Sequence, residues 1–351
     1  MDFDKKILVT GGAGFIGSNF LLKSVPIMKE VHFVNADNLT YAANLQNLEN
    51  ISKLGNYEFS RVDISNPIEV QSLFARVQPD VVFHFAAESH VDRSILGPGA
   101  FIQANIIGTF NLLEESRKQK SIIFHHVSTD EVYGSLDQNG LFTEKTPYDP
   151  SSPYSASKAS SDHLVRAYHK TYGLPVNITN CSNNYGPYQF PEKLIPLVIS
   201  NVLQRKPIPV YGKGENVRDW LYVEDHCSAI WAVHENGRVG ETYNVGGNNE
   251  CSNINLIKAL CTLLSKKLGE SEDDILSLIT YVKDRPGHDL RYAIDSTKIR
   301  KECGWSPQET IESGLQKTVD WYIDNQDWVN SVTSGKYQFW IEENYTKRGI
   351  E

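Results

Sequence analysis

Along the first half of the chain, short apolar runs alternate with longer segments of helical periodicity. Residues 6–10 read as a short strand, followed by a glycine turn and a helical stretch to about Ser24. Residues 30–35 and 57–62 read as a second and third strand. Residues 80–85 and 121–127 are continuous apolar runs with no polar face. Strands of that kind are buried on both sides, as in a parallel sheet covered by helices. Helical patterns fill the gaps, notably residues 99–118 and 153–172. The alternation predicts a right-handed, doubly wound parallel α/β sheet.

After Cys181 the pattern loosens, because Pro187, Pro191, Pro196, Pro207 and Pro209 interrupt it. Turn signals at 212–214 and 246–249 separate short elements there. Residues 1–180 therefore read as a nucleotide-binding unit carrying the reactive groups. Residues 181–351 read as a smaller mixed α/β region that holds the substrate. The boundary is soft, since such regions exchange segments with the main unit.

Charge and cysteine content narrow the classes. A formal net charge of −9 argues against nucleic acid or an anionic membrane surface as partner. No run of apolar residues is long enough to span a bilayer, and the polar start does not read as a secretory signal. Five cysteines without a Cys-x-x-Cys pair read as reduced thiols, in a cytoplasmic protein without a structural metal.

Chemistry enters at Gly11, Gly14 and Gly17, which lie between the first strand and the first helix. A pyrophosphate approaches backbone N–H groups at such a helix start, and a side chain on the turn would block it. Asp37 follows the second strand, where a carboxylate accepts from a ribose hydroxyl and repels a 2′-phosphate. That favours NAD over NADP, the alternative being a turn-capping aspartate. Asp63 ends the third strand, within reach of an adenine amine or again as a turn residue.

Tyr154 and Lys158 lie one helical turn apart, behind a cap at Ser152 and Pro153. A nearby ammonium lowers a phenol's pKa, so Tyr154 is expected to work as a base near neutral pH. Residues 127–129 end the preceding strand at the edge where sites form, and Thr129 is followed by Asp130 and Glu131. Two adjacent carboxylates in different environments can divide the acid and base roles of a dehydration.

The glycine turn with Tyr154 and Lys158 resembles the extended short-chain dehydrogenase/reductase family, whose Rossmann-type members bind NAD(P) tightly and act mostly on nucleotide sugars. Within it, the sequence is most similar to the sugar 4,6-dehydratases. The matching pieces are residues 84–95, 180–196, 218–225, 284–295 and the tail 334–345. Thr129, Asp130, Glu131, Tyr154 and Lys158 fall at that family's catalytic positions. The resemblance adds Phe15, Ile16, Asn38, Thr40 and Ile64 to the cofactor set. Ala86, Ala87, Ser89 and Asn184 join it too, beside Tyr154 and Lys158 themselves. Ser89, Thr129, Asn183, Lys193, Leu194 and Pro209 fall where the family meets its nucleotide sugar. Tyr211, Arg218, Asn253, Arg285 and His288 complete that set. Lys193 and Arg218 suit a diphosphate. Ala104 departs from the pattern, because some relatives carry a threonine there.

The resemblance implies C4 oxidation of a nucleoside diphosphate glucose, the thymidine form first. Loss of water across C5 and C6 and hydride return to C6 follow. The residues alone leave thymine against uracil open. The rival readings are a nucleotide-sugar epimerase or decarboxylase, and a catalytically silent NAD-binding regulator. A homodimer is expected, because residues 99–118 and 153–172 carry apolar positions beyond one face's needs. His125 and His126 read as core packing, and the aromatic cluster from Trp321 to Trp340 as a C-terminal cap.

Overall fold

The computed structural model describes residues 3–119 and 122–333. The tail motif at 334–345 and the last part of the aromatic cluster lie outside the described residues. The strands are β1 (Lys5–Thr10), β2 (Val31–Asp37), β3 (Tyr57–Arg61), β4 (Val81–His84), β5 (Ile123–Thr129), β6 (Val176–Cys181), β7 (Asn183–Tyr185), β8 (Ile208–Tyr211), β9 (Val217–Tyr222), β10 (Thr242–Val245), β11 (Glu250–Ser252) and β12 (Ile279–Val282).

Seven of them form one sheet in the order β10-β6-β5-β4-β1-β2-β3, and every pairing in it is parallel. This is the Rossmann-type doubly wound arrangement. The strand order reverses between β1 and β4, and a crevice opens there beyond the strands' carboxyl ends. Alternation along β1 sends Leu8 to one face and Ile7 and Val9 to the other. Both faces are covered by helices, so β4 and β6 are buried at every position.

The helices that matter for the site are α1 (Phe15–Ser24), α2 (Pro67–Val77), α3 (Val91–Leu96), α4 (Pro98–Phe101), α5 (Thr109–Lys118), α6 (Pro153–Tyr172), α7 (Leu194–Leu203), α8 (Val223–Asn236) and α9 (Asn253–Leu268). Helix α6 starts as its sequence predicts: Ser152 and Ser155 form a reciprocal capping box, with Pro153 in the first turn. It stops at Gly173 in the left-handed region.

The stretch 99–118 is not one regular helix. Between α4 and α5 the residues Ile102–Gly108 form a π-helix. Asn105 lies inside this wide turn, and its side chain accepts from Glu88 N at 2.9 Å. It also donates to Glu88 O at 2.9 Å and to Ser157 Oγ at 2.8 Å. A wide turn of this kind is the usual mark of a functional distortion. Here its side chain ties the loop after β4 to the helix that carries Tyr154 and Lys158.

A second core gathers Tyr185, Ile195, Val198 and Ile199 against Leu256 and Leu260, with Leu315 and Tyr322 of helix Ile311–Asp324. Above it stand a three-stranded sheet, β11-β9-β7, and the parallel pair β12-β8. The chain crosses between the two parts more than once, for β10 and α8 return to the large sheet after β7–β9.

Candidate active site

Beyond β1 the chain turns at Gly11, whose φ of +73° favours glycine. A Cβ on Gly11 would stand 2.5 Å from Ala86 N, and one on Gly17 would stand 2.4 Å from Gly11 O. The turn is therefore close to both the loop after β4 and the start of α1. No side chain caps α1 at Gly14, so its first-turn N–H groups face the crevice. Phe15 and Ile16 line that mouth. These features fit a dinucleotide: a bare backbone cradle and a helix N-terminus for a pyrophosphate.

The cradle opens into a cavity of about 320 Å³. Asp37 lines it, with its carboxylate held by Ala13 N at 3.0 Å and Leu39 N at 2.8 Å. Burial raises its pKa, and those two N–H groups oppose the rise. Asp63 lines it too, while accepting from Ser65 N and Ser65 Oγ. Both aspartates thus hold their own turns and border the cavity at once. Asn38, Thr40 and Ile64 border the same end, and Ala86, Ala87, Ser89, Ala104 and Asn184 border the rest.

Thr129 ends β5 and caps the short 3₁₀ turn Asp130–Tyr133, its Oγ1 accepting from Glu131 N at 3.3 Å. Asp130 is 1% exposed. Burial, then the neighbouring Glu131 and Asp219, hold its carboxyl well above the usual range, which favours its neutral form. Its Oδ2 has no hydrogen-bond partner. Burial also raises Glu131, but Arg285, Lys193 and Arg218 pull the other way. The two neighbours therefore differ in environment, as a division into acid and base requires.

Tyr154 corrects one expectation. Burial, then Glu131, push its phenol well above its ordinary value, so it is protonated in the ligand-free chain. Lys158 donates to Val127 O at 2.9 Å and lies 3.4 Å from His126 Nε2. Burial brings the lysine down to about 8. His126 is not simple core packing either: its Nε2 stands 3.3 Å from Asp162 Oδ1, at the back of Lys158. His125 does pack, against Phe83, with a bond to Thr179 Oγ1.

A second cavity of about 150 Å³ adjoins the first, and Glu131, Asn183, Glu192 and Lys193 border both. Leu194, Pro209, Tyr211 and Asn253 form its walls with Arg218 and Arg285. Lys193 Nζ donates to Ser89 O at 3.0 Å. Arg218 lies over the Tyr292 ring at 4.1 Å and donates to Val217 O and Asp289 O. Arg285 stands 3.9 Å from Asp92. Asn183 Oδ1, Trp220 Nε1 and Arg285 Nε are buried without partners, as expected where a polar ligand completes the bonding. His288 is the one sequence-derived residue that neither cavity includes. It pairs with Asp284 at 2.6 Å, its ring lies edge-on to Tyr211, and burial lowers it to about 4.

Sequence reasoning missed Glu192 and Asp219. Glu192 is buried between the two cavities, where it accepts from Tyr41 Oη at 2.7 Å and Arg93 Nε at 3.0 Å. Asp219 accepts from Gly247 N and Asn249 N at the back of Asp130.

The family model described as GDP-mannose 4,6 dehydratase matches residues 8–318. The dTDP-glucose 4,6-dehydratase of Shigella flexneri is 56% identical, over 98% of this chain and 99% of that one. The crystal structure of dTDP-glucose 4,6-dehydratase from Bacillus anthracis in complex with NAD is 49% identical. It covers 93% of this chain and 99% of its own, with a TM-score of 0.83. That of the Streptomyces venezuelae dTDP-glucose 4,6-dehydratase, with NAD and TYD bound, has a TM-score of 0.86 at 45% identity. The same coverage applies, 93% and 99%.

Proposed function

The chain belongs to the dTDP-glucose 4,6-dehydratase family, and on that premise we propose that it is an NAD-dependent lyase converting dTDP-glucose to the 4-keto-6-deoxy sugar. The observation that carries the reading is the pair Asp130 and Glu131. One is a buried acid pushed toward its neutral form and the other is flanked by three cations, and both border the cavity that holds Tyr154.

Bound NAD supplies a hydride acceptor for C4 and a hydride donor for C6, with no net redox change. The glycine turn and the start of α1 would hold its pyrophosphate, and Asp37 a ribose. Lys193, Arg218 and Arg285 set positive charge around the second cavity, where a diphosphate would lie. Thr129 and Tyr154 face the C4 oxygen, and Tyr154 takes its proton. Tyr154 is protonated in the ligand-free chain, one proton away from the form that takes the C4 proton. On this reading Tyr154 gives up that proton as the site is loaded. The C4 ketone acidifies the C5 proton, which Glu131 removes. Asp130 protonates the C6 oxygen as water leaves, and Glu131 returns its proton to C5.

The same reading extends to assembly and compartment. Ile102, Ile107 and Phe110 are exposed apolar side chains on the π-helix and α5; a second copy covering them would make a homodimer. Five free cysteines suit the reducing cytoplasm. Among the described residues no helix is long and apolar enough to cross a membrane. The test of function is to incubate purified protein with dTDP-glucose and UDP-glucose and follow the 4-keto product. Accumulation of a C4 epimer without ketone would overturn the reading.

A further inference from the structure

Two walls of the cofactor cavity are joined by contacts that the proposed cycle does not use. Thr40 and Ala42, in the loop after β2, line one wall, and Phe190 and Glu192, in the segment before α7, line another. Tyr41 sits between the first two residues and reaches the second pair. Its hydroxyl donates to Glu192 Oε1 at 2.7 Å, and its ring meets Phe190 edge-on at 5.5 Å. Arg93 of α3 completes the join. Its Nε donates to Glu192 Oε2 at 3.0 Å, while its guanidinium lies 3.8 Å over the Tyr41 ring.

The loop that carries Tyr41 is anchored on both sides of it. At its start Asp37 accepts from Ala13 N at 3.0 Å and from Leu39 N at 2.8 Å. At its end Asn44 N donates to Ala13 O at 2.9 Å. Between these anchors Tyr41 spans to the other wall. The Glu192 side chain is 2% exposed, so the phenol bonds a carboxylate shielded from water, and the cation over its ring adds to the hold. Burial, then Glu192, keep the phenol above its ordinary value, so it remains the donor. The join can nonetheless open as a unit, because it runs through one tyrosine side chain.

We propose that Tyr41, Glu192 and Arg93 form a latch on the cofactor cavity, which opens to admit NAD and then keeps it through successive turnovers. In the proposed cycle the hydride taken from C4 is returned to C6, so the cofactor has no need to leave. Its escape in the reduced form would strand the oxidised sugar. The inference rests on NAD as the cofactor and on none of the proton transfers. A closed latch stands in the way of entry and of exit alike. Weakening it therefore speeds both, and the affinity changes little because the same contacts are broken in either direction.

The test measures both rates. Tyr41→Phe keeps the ring and removes the hydroxyl. Release is followed by chasing bound radiolabelled NAD with excess unlabelled NAD. Entry is followed by uptake of labelled NAD into protein freed of cofactor, each by rapid filtration. Both rates should rise at least about tenfold in Tyr41→Phe, the scale of a hydrogen bond to a charged acceptor. The dissociation constant, by calorimetric titration, should stay close to that of the wild type. Glu192→Gln should also speed both rates, and in the double variant the two effects should not add, since each breaks the same bond. Unchanged release in Tyr41→Phe would overturn the latch, as would full additivity in the double variant. Faster release with entry unchanged or slowed would also overturn it, for that is the pattern of a lost contact with NAD itself or of a damaged fold. A wild-type chain that binds no NAD would instead remove the cofactor assignment on which the latch depends.

Discussion

Replacing Asp130 by Asn should make the protein more stable and far less active. The carboxyl is buried, one oxygen bonded to Thr129 and the other without a partner. Burial and two neighbouring carboxylates raise its pKa well above the ordinary value. A raised carboxyl pKa means that the folded chain binds a proton that the unfolded chain has released. The cost is absent below the unfolded value, near 4, and grows as pH rises toward the folded value. Each pH unit inside that window costs about 1.4 kcal/mol. Asparagine is neutral at every pH and nearly the same shape, so it removes the cost. Urea unfolding at pH 5, 6 and 7 should show a gap in favour of Asp130→Asn that widens with pH and levels off. The same variant should slow water loss by roughly 10²-fold or more, the usual scale for a general acid. The loss should shrink with a sugar bearing fluoride at C6, which needs less help from a proton. A stability gap that stays flat with pH would refute the buried-acid argument. Equal slowing with both sugars would show that Asp130 positions the sugar and does not protonate it.

Glu131→Gln should block elimination yet leave C4 oxidation, so NADH accumulates on the enzyme. Exchange of the C5 proton with solvent deuterium should cease, and exchange at the wild-type rate would exclude Glu131 as the base. NAD should bind at least about tenfold more tightly than NADP, because Asp37 faces the 2′-position with its charge; calorimetric titration of both checks this. Phe110→Glu should convert a dimer to a monomer at micromolar concentration by light scattering, since it places a charge in the proposed apolar contact. A wild-type monomer would contradict the dimer outright.

Much of the fold was legible because its strands are apolar throughout. Residues 80–85 and 121–127 have no polar face, which only a sheet covered on both sides tolerates. Their bounds shifted by a residue or two, and the doubly wound parallel sheet followed from the alternation. The π-helix was not legible, because its cause is distant in sequence: Asn105 reaches Glu88 and Ser157. The site divides the same way. Gly11, Gly17, Asp37, Tyr154 and Lys158 are tied to local turns and helix spacing, so sequence could place them. The phenol's actual state could not be read, since it depends on Glu131 and burial and not on the lysine four residues on. Glu192 makes its contacts with Tyr41 and Arg93, far back in the chain, and no local pattern announces them.

The return of β10 to the large sheet also bears on how the protein is made. Strand β6 is buried at every position, and β10 pairs along its outer edge. A chain cut near residue 180 would end with that strand as a bare, apolar edge, a template for sheet-to-sheet aggregation. During synthesis the ribosome must release some sixty further residues, a roughly counted interval, before the edge is closed, and long-range pairing of this kind is slow. The nucleotide-binding half expressed alone is therefore expected to aggregate through that edge.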